Sequence, residues 1–248
     1  MAAAATPRVR RMPLWLGWTL ALLVAAGFSA LGHWQLQRAR DKQALLAKTE
    51  QVLARRQAGP LSLAGAPDGL DWAAGHGRFT DAPPVLLDNQ LREGRAGVRI
   101  YRVFQPLQGP PLLVELGWQP LPADRRLPHP PKPVQTEVSG LLMPPPAAGL
   151  AGHGAPAAQD GVLLALGLQP QALAGPLHAP GLAPRVLRLD PALPWGYPRD
   201  LEVLPNTLPP ERHLGYAVQW FGLAIAVLAT AALLTFRRRR AARAKIGG

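Results

Sequence analysis

The chain has 248 residues, 27 Lys and Arg against 15 Asp and Glu, a net charge of +12, and no cysteine. The missing thiols exclude disulfides, thiolate metal centres, covalently attached c-type haem and copper carriage by paired cysteines. The charge suggests a nucleic-acid binder until it is located. Nine of the 27 cations lie in residues 1–13 and 237–248, which hold no acid, so 18 face 15 acids between them, a net of only +3.

In chain order, the first element is an apolar run. Residues 14–31, LWLGWTLALLVAAGFSAL, carry no charge, and neither do residues 215–236, GYAVQWFGLAIAVLATAALLTF. A helix rises about 1.5 Å per residue, so roughly 20 such residues cross a hydrocarbon core about 30 Å thick. Both runs are read as transmembrane helices. The first is longer than the usual signal-peptide core of about 7–15 residues. If Ala30 ended a signal peptide, Phe28 would occupy a position that wants a small side chain, so the run is an uncleaved anchor. Arg10-Arg11 lacks the surroundings of a twin-arginine signal. Arg8, Arg10 and Arg11 precede the first run, and Arg237, Arg238, Arg239, Arg240, Arg243 and Lys245 follow the second. Basic residues in short flanking tails mark the cytoplasmic side. The expectation is a multi-pass protein of a bacterial inner (cell) membrane, in the lipid bilayer, with both termini cytoplasmic and the middle periplasmic. A stop-transfer anchor accounts for the arginine tail without nucleic acid.

The expected division is a cytoplasmic tail over 1–13, a transmembrane helix over 14–32, a helical stalk over 33–58, a β-rich periplasmic domain over 59–208, a second transmembrane helix with its outer-face start over 209–236, and a basic cytoplasmic tail over 237–248. The stalk rests on good helix formers with no Gly or Pro until Gly59-Pro60. Trp34 falls near the interface, where indoles are favoured. Short strands are expected at 85–87, 98–104, 112–116, 134–138 and 185–189. The stretch Val134-Gln135-Thr136-Glu137-Val138 alternates apolar and polar residues. Residues 93–97, EGRAG, supply a turn, and 143–161 is a low-complexity loop. Residues 191–212 read as an extended approach studded with Pro191, Pro194, Pro198, Pro205, Pro209 and Pro210, the last two opening the second long helix. The expected fold is a membrane protein with two transmembrane α-helices bracketing a small β-rich domain, mainly β to α+β, outside the membrane.

No enzyme signature is present: no G-x-S-x-G elbow, no phosphate-binding glycine loop, no H-E-x-x-H and no converging pair of carboxylates. The chain is read as a protein that is not an enzyme. What stands out is His213, Tyr216 and Trp220, spaced i, i+3 and i+7 on one face where the second helix meets the membrane boundary. An imidazole there can serve as an axial ligand to haem iron, with the rings packing a porphyrin. The same residues also suit an ordinary interfacial belt with a polar anchor. His33 emerges at the same boundary on the other helix, and if the helices pair it approaches His213.

These boundary segments carry a resemblance. Residues 32–42, GHWQLQRARDK, resemble the G-x-W-Q-L-x-R-x-x-x-K signature of the Surfeit locus protein 1 family, and residues 213–221, HLGYAVQWF, its H-L-x-Y-A-x-x-W-F signature. Between them, Leu87-Asp88-Asn89-Gln90 with Gly97, residues 112–120 (LLVELGWQP) and Gly140 are similar to its central blocks. Leu116 stands where that family usually has Arg, and Val98 where an aromatic is common. The resemblance implies an assembly factor for haem-copper cytochrome c oxidase, a respiratory-chain chaperone assisting haem a delivery or insertion into the large catalytic subunit. It implies transient haem a as cofactor, His213 as axial iron ligand, Tyr216 and Trp220 beside it, and Arg38 toward a propionate. Trp34 and Gln35 would be structural or subunit-contact residues. The oxidase large subunit and haem a synthase are the implied partners. The alternative is a haem-independent membrane chaperone or scaffold holding an oxidase subunit.

Overall fold

The computed structural model describes residues 13–146, 154–203 and 208–244. Arg8, Arg10, Arg11, Pro205, Lys245 and the middle of the 143–161 loop lie outside the described residues. Two compact units emerge, one made of Met1–Leu45 with Thr207–Gly248 and the other of Leu46–Asn206.

Helix α1 spans Leu14–Arg55, unbroken through the apolar run and the charged stretch after it. It stops where Arg56 turns left-handed at φ 43°, ahead of Gly59-Pro60. After α1 come β1 (Gly59–Pro60), a short 3-10 turn (Leu61–Gly65), β2 (Asp71–Phe79), β3 (Val85–Arg92), β4 (Arg95–Pro106), β5 (Leu112–Pro120), β6 (Glu137–Met143), β7 (Ala157–Gln159), β8 (Val162–Ala165), α2 (Pro170–Ala174) and β9 (Val186–Leu189). Helix α3 closes the chain over Pro210–Ala244. Proline fits its first turn, where no backbone N–H is needed, and Glu211 and Arg243 complement the helix dipole. The basic cluster from Arg237 to Arg240 is a helical continuation of the apolar run rather than a separate tail.

In both long helices the most apolar stretch is almost bare: 6% of it is buried in α1 and 11% in α3. A core helix of a soluble protein would be mostly covered, so these are lipid-facing spans of a membrane protein. Within them Thr19, Thr230 and Thr235 each donate their hydroxyl to the carbonyl four residues back, which satisfies groups that lipid could not.

The strands bond in the order β1-β2-β6-β9-β5-β4-β3-β8-β7, and a second pairing of β2 with β4 closes β2, β6, β9, β5 and β4 into a barrel-like ring. Two apolar clusters bury opposite faces of this sheet. Leu112, Val114 and Leu116 of β5 enter one and Leu113 the other, as the two-residue period requires. The last turns of α1 pack Val52 and Leu53 on the second cluster, and Arg56 lies 4.9 Å over the ring of Trp72.

The expected strands at 85–87, 98–104 and 112–116 fall within β3, β4 and β5, and the one at 185–189 matches β9 from Val186 onward. Glu93-Gly94, with φ 50° and 74°, turns β3 into β4 as a two-residue hairpin. The expected strand at 134–138 is corrected. Val134 is 87% exposed and β6 begins only at Glu137, because its register is fixed by β2 and β9 rather than by local alternation. The extended approach after residue 190 is corrected as well. Arg199 gathers the carbonyls of Asp190, Leu193, Trp195 and Tyr197 around its guanidinium and coils that stretch into successive turns. Gly77 and Gly140 allow the ring to close, since a Cβ at either would strike a neighbouring carbonyl, of Gln105 or Arg188 respectively.

Candidate functional site

Helices α1 and α3 pair antiparallel along a seam that mixes small and large side chains. On α1 the covered positions Trp18, Ala25, Gly32 and Ala39 recur every seven residues, as do Ala21, Phe28, Gln35 and Lys42. Helix α3 answers with His213, Trp220 and Val227, and with Ala217, Ala224 and Ala231. A seven-residue repeat keeps one face of each helix toward the other, with Ala and Gly interleaved among larger side chains. Gly32 sits against the Phe221 ring, and Phe28 packs on Trp220 with ring centroids 5.5 Å apart.

Polar ties cross the seam along its length. Trp18 donates its indole N–H to Thr235 Oγ1 at 3.0 Å, Gln35 Oε1 meets His213 Nδ1 at 2.7 Å, and Lys42 Nζ donates to the Leu208 carbonyl at 2.5 Å. His213 lies 22 residues before Thr235, about 33 Å along the helix against a hydrocarbon core of about 30 Å. The Gln35–His213 pair therefore sits one bilayer thickness from the tie nearest the arginine cluster.

The electronic state of His213 follows from that contact. An amide oxygen only accepts, so the proton of a neutral imidazole resides on Nδ1 and the lone pair on Nε2. The side chain is 7% exposed, and Nε2 is buried with no hydrogen-bond partner among the described residues. Leaving a buried polar atom unmatched costs about 1–3 kcal/mol. An oriented imidazole with one nitrogen held by an outer partner and the other free is the donor arrangement a metal takes up. Nε2 is also closed to solvent.

The sequence-predicted residues divide here. His213 and Trp220 face α1, whereas Tyr216 turns outward and is 39% exposed. Three helical residues turn about 300°, which moves Tyr216 off the seam. Arg38 is exposed, with its charge, like that of Lys42, reaching the His213 ring. The expected approach of His33 to His213 is corrected: the facing residue is Gln35, and His33, two residues and about 200° away, is exposed. Gln35, read as structural from the sequence, is the residue that orients the imidazole. An amide placed to meet a histidine 178 residues later gives no local signal.

A second buried polar cluster belongs to the β-domain. Glu115 is 2% exposed and touches Arg99 Nη1 at 2.5 Å, the Tyr101 hydroxyl at 3.0 Å and Arg188 Nε at 3.1 Å. Asp200 joins through Arg188 at 3.2 Å and Arg99 at 3.8 Å. Carboxylates that look scattered in the sequence thus converge around shared guanidinium groups, because β4, β5 and β9 are neighbours. Burial, reinforced by the Glu115 charge, pushes the Tyr101 phenol well above its usual range. Burial works against the charge on Arg99, but Glu115, Tyr101 and Asp200 outweigh it and raise that group. The cluster binds the sheet together. Among the described residues no group of three or more metal-ligating side chains occurs.

Comparison with known families is consistent with this anatomy. The family model described as the SURF1 family matches residues 22–225, a span that includes both boundary motifs. In sequence, the chain matches none of the curated proteins.

Proposed function

Because this chain belongs to the SURF1 family, a family of cytochrome oxidase assembly factors rather than enzymes, we propose that it holds haem a transiently at His213 for delivery into the oxidase's large catalytic subunit. The observation that carries this reading is the buried, unpartnered Nε2 of a histidine whose Nδ1 is fixed by Gln35. Haem a, when bound, supplies an iron that accepts an imidazole nitrogen and propionates that seek cations. Gln35 holds the imidazole in the tautomer that presents Nε2. Trp220 and Phe28 offer aromatic surface one to two turns away, and Arg38 offers a guanidinium for a carboxylate. A single protein ligand, with a closed site that must open, suits a carrier that gives its cargo away.

In this reading the chain lies in a bacterial inner membrane with both termini cytoplasmic, the arginine cluster of α3 holding them there. The 59–208 domain is then periplasmic, residues 14–32 and 209–236 are the spans, and haem a synthase is the donor. One observation favours a second reading, a haem-independent chaperone that holds an oxidase subunit: Nε2 is sealed from solvent. Deleting the gene and complementing it with wild type or His213→Ala separates the two. Loss of oxidase activity on deletion, restored by wild type and not by an equally abundant His213→Ala protein, supports haem delivery. Full rescue by the variant selects the chaperone, and an oxidase untouched by deletion removes both.

A further inference from the structure

Strand β6 lies between β2 and β9, but the two neighbours do not flank it over the same length. Its pairing with β9 runs from Met143 opposite Val186 to Gly140 opposite Leu189, and the Asp190 amide adds a last bond to the Ser139 carbonyl. There the neighbouring chain leaves, because the Asp190 carbonyl accepts from the Leu193 amide and from Arg199, which begin the coil. Strand β6 reaches further back along β2, to Glu137 opposite His76, and the Gly77 amide donates to the Thr136 carbonyl beyond it. Main-chain groups of successive strand residues point to opposite edges. Thr136 faces β2 and Ser139 faces β9, so the N–H and C=O of Glu137 face the side that β9 has left. No main-chain partner meets them there among the described residues.

A groove of about 430 Å³ lies at this open edge, with Val134, Gln135, Glu137 and Ser139 on one bank and Leu193 and Trp195 on the other. Leu193 and Trp195 are half-buried against the same apolar cluster as Val138, and the edge of the Phe79 ring, 6.1 Å away, backs Trp195. Glu137 is exposed, alternates with the buried Val138, and makes no ion pair among the described residues. We propose that this edge takes up one extended peptide segment of a partner protein, added as a strand beside β6 in the place that β9 vacates. Its apolar side chains meet Leu193 and Trp195, and its basic ones meet Glu137. In such an addition main-chain bonds supply affinity and alternate side chains supply the choice of partner. A second copy pairing edge to edge would bring two Glu137 carboxylates together, and like charges across a strand pair are unfavourable. Charge therefore favours a basic segment over a dimer.

The test uses the full chain in phosphatidylcholine nanodiscs and a fluorescein-labelled Val-Lys-Val-Lys-Val peptide, read by fluorescence anisotropy beside empty nanodiscs. Wild type should bind it saturably, and should bind Val-Glu-Val-Glu-Val roughly tenfold more weakly, the difference between opposite and like charges across a strand pair. Glu137→Lys, at an exposed position, should invert that preference. Methylating every backbone nitrogen of the basic peptide should abolish binding while its charge and side chains stay the same, and this arm needs no variant of the protein. Equal binding of the two peptides, a preference that Glu137→Lys leaves as it was, retention of the methylated peptide, the same signal on empty nanodiscs, or a dimer whose edge the peptide cannot enter would each overturn the proposal.

Discussion

In the β-domain, the buried carboxylate of Glu115 touches a guanidinium, a phenol and a second guanidinium, while Asp200 balances the remaining charge. In the helix pair, the buried imidazole of His213 has one partner, Gln35, and a second nitrogen with none among the described residues. Both regions place polar atoms out of water, yet only the first surrounds its central group with partners. Single nitrogens of Arg102, Arg185 and Arg188 in the β-domain also lack a hydrogen bond, but each belongs to a guanidinium with other partners, whereas the His213 imidazole has one contact among the described residues, to Gln35. The comparison moves attention from the part of the chain with more charges to the part with fewer.

The largest effect should come from breaking the matched cluster. Glu115→Ala strands Arg99 and Arg188 in a buried setting and should destabilise the β-domain by about 3–5 kcal/mol. Thermal or denaturant unfolding of the full chain reads this directly, and a loss below about 1 kcal/mol would mean the cluster is less buried than it looks. A smaller effect is expected at the half-matched site. Gln35→Leu removes the acceptor that orients His213 while leaving the helices able to pack. It should weaken retained haem by about 10–100-fold, the usual consequence of losing an outer-shell partner, with unfolding almost unchanged. Equal weakening of haem and fold would erase the contrast between the regions.

The smallest effect is a pH dependence confined to the β-domain. Burial raises the Tyr101 phenol in the folded chain above its ordinary value of 10, and Tyr197 is raised in the same direction. The folded state therefore keeps protons that the unfolded chain releases. Their stabilising contribution is complete below pH 10 and declines as pH rises above it. Melting temperatures of wild type and Tyr101→Phe should run parallel below pH 10 and converge above it. Parallel curves throughout would place Tyr101 in a wetter setting.

How much of this is legible in the sequence differs between the same two regions. The long helices follow from uninterrupted apolar runs, and the strands β3, β4 and β5 from short apolar stretches, the first two joined by the turn at Glu93-Gly94. Strand β2 does not: Asp71–Phe79 contains two glycines and no alternation, and it is a strand because β6 and β4 hold it from either side. The start of β6 is likewise set by distant partners, whereas the coil around Arg199 is local but depends on one side chain gathering carbonyls that no residue pattern marks. At the site, the spacing of His213 and Trp220 marks the seam, yet Tyr216 leaves it because 300° is not a full turn. Gln35 is invisible as a partner until the helices pair, since nothing local links it to a residue at the other end of the chain.

The most direct test of the account is the absorption spectrum of the full chain purified from cells that make haem a, wild type beside His213→Ala, with unfolding curves for both. The account predicts substoichiometric haem a on wild type, its loss from the variant, and superimposable unfolding. Equal haem on two equally stable proteins would contradict it, because the imidazole left unmatched in the helix pair would then hold no iron.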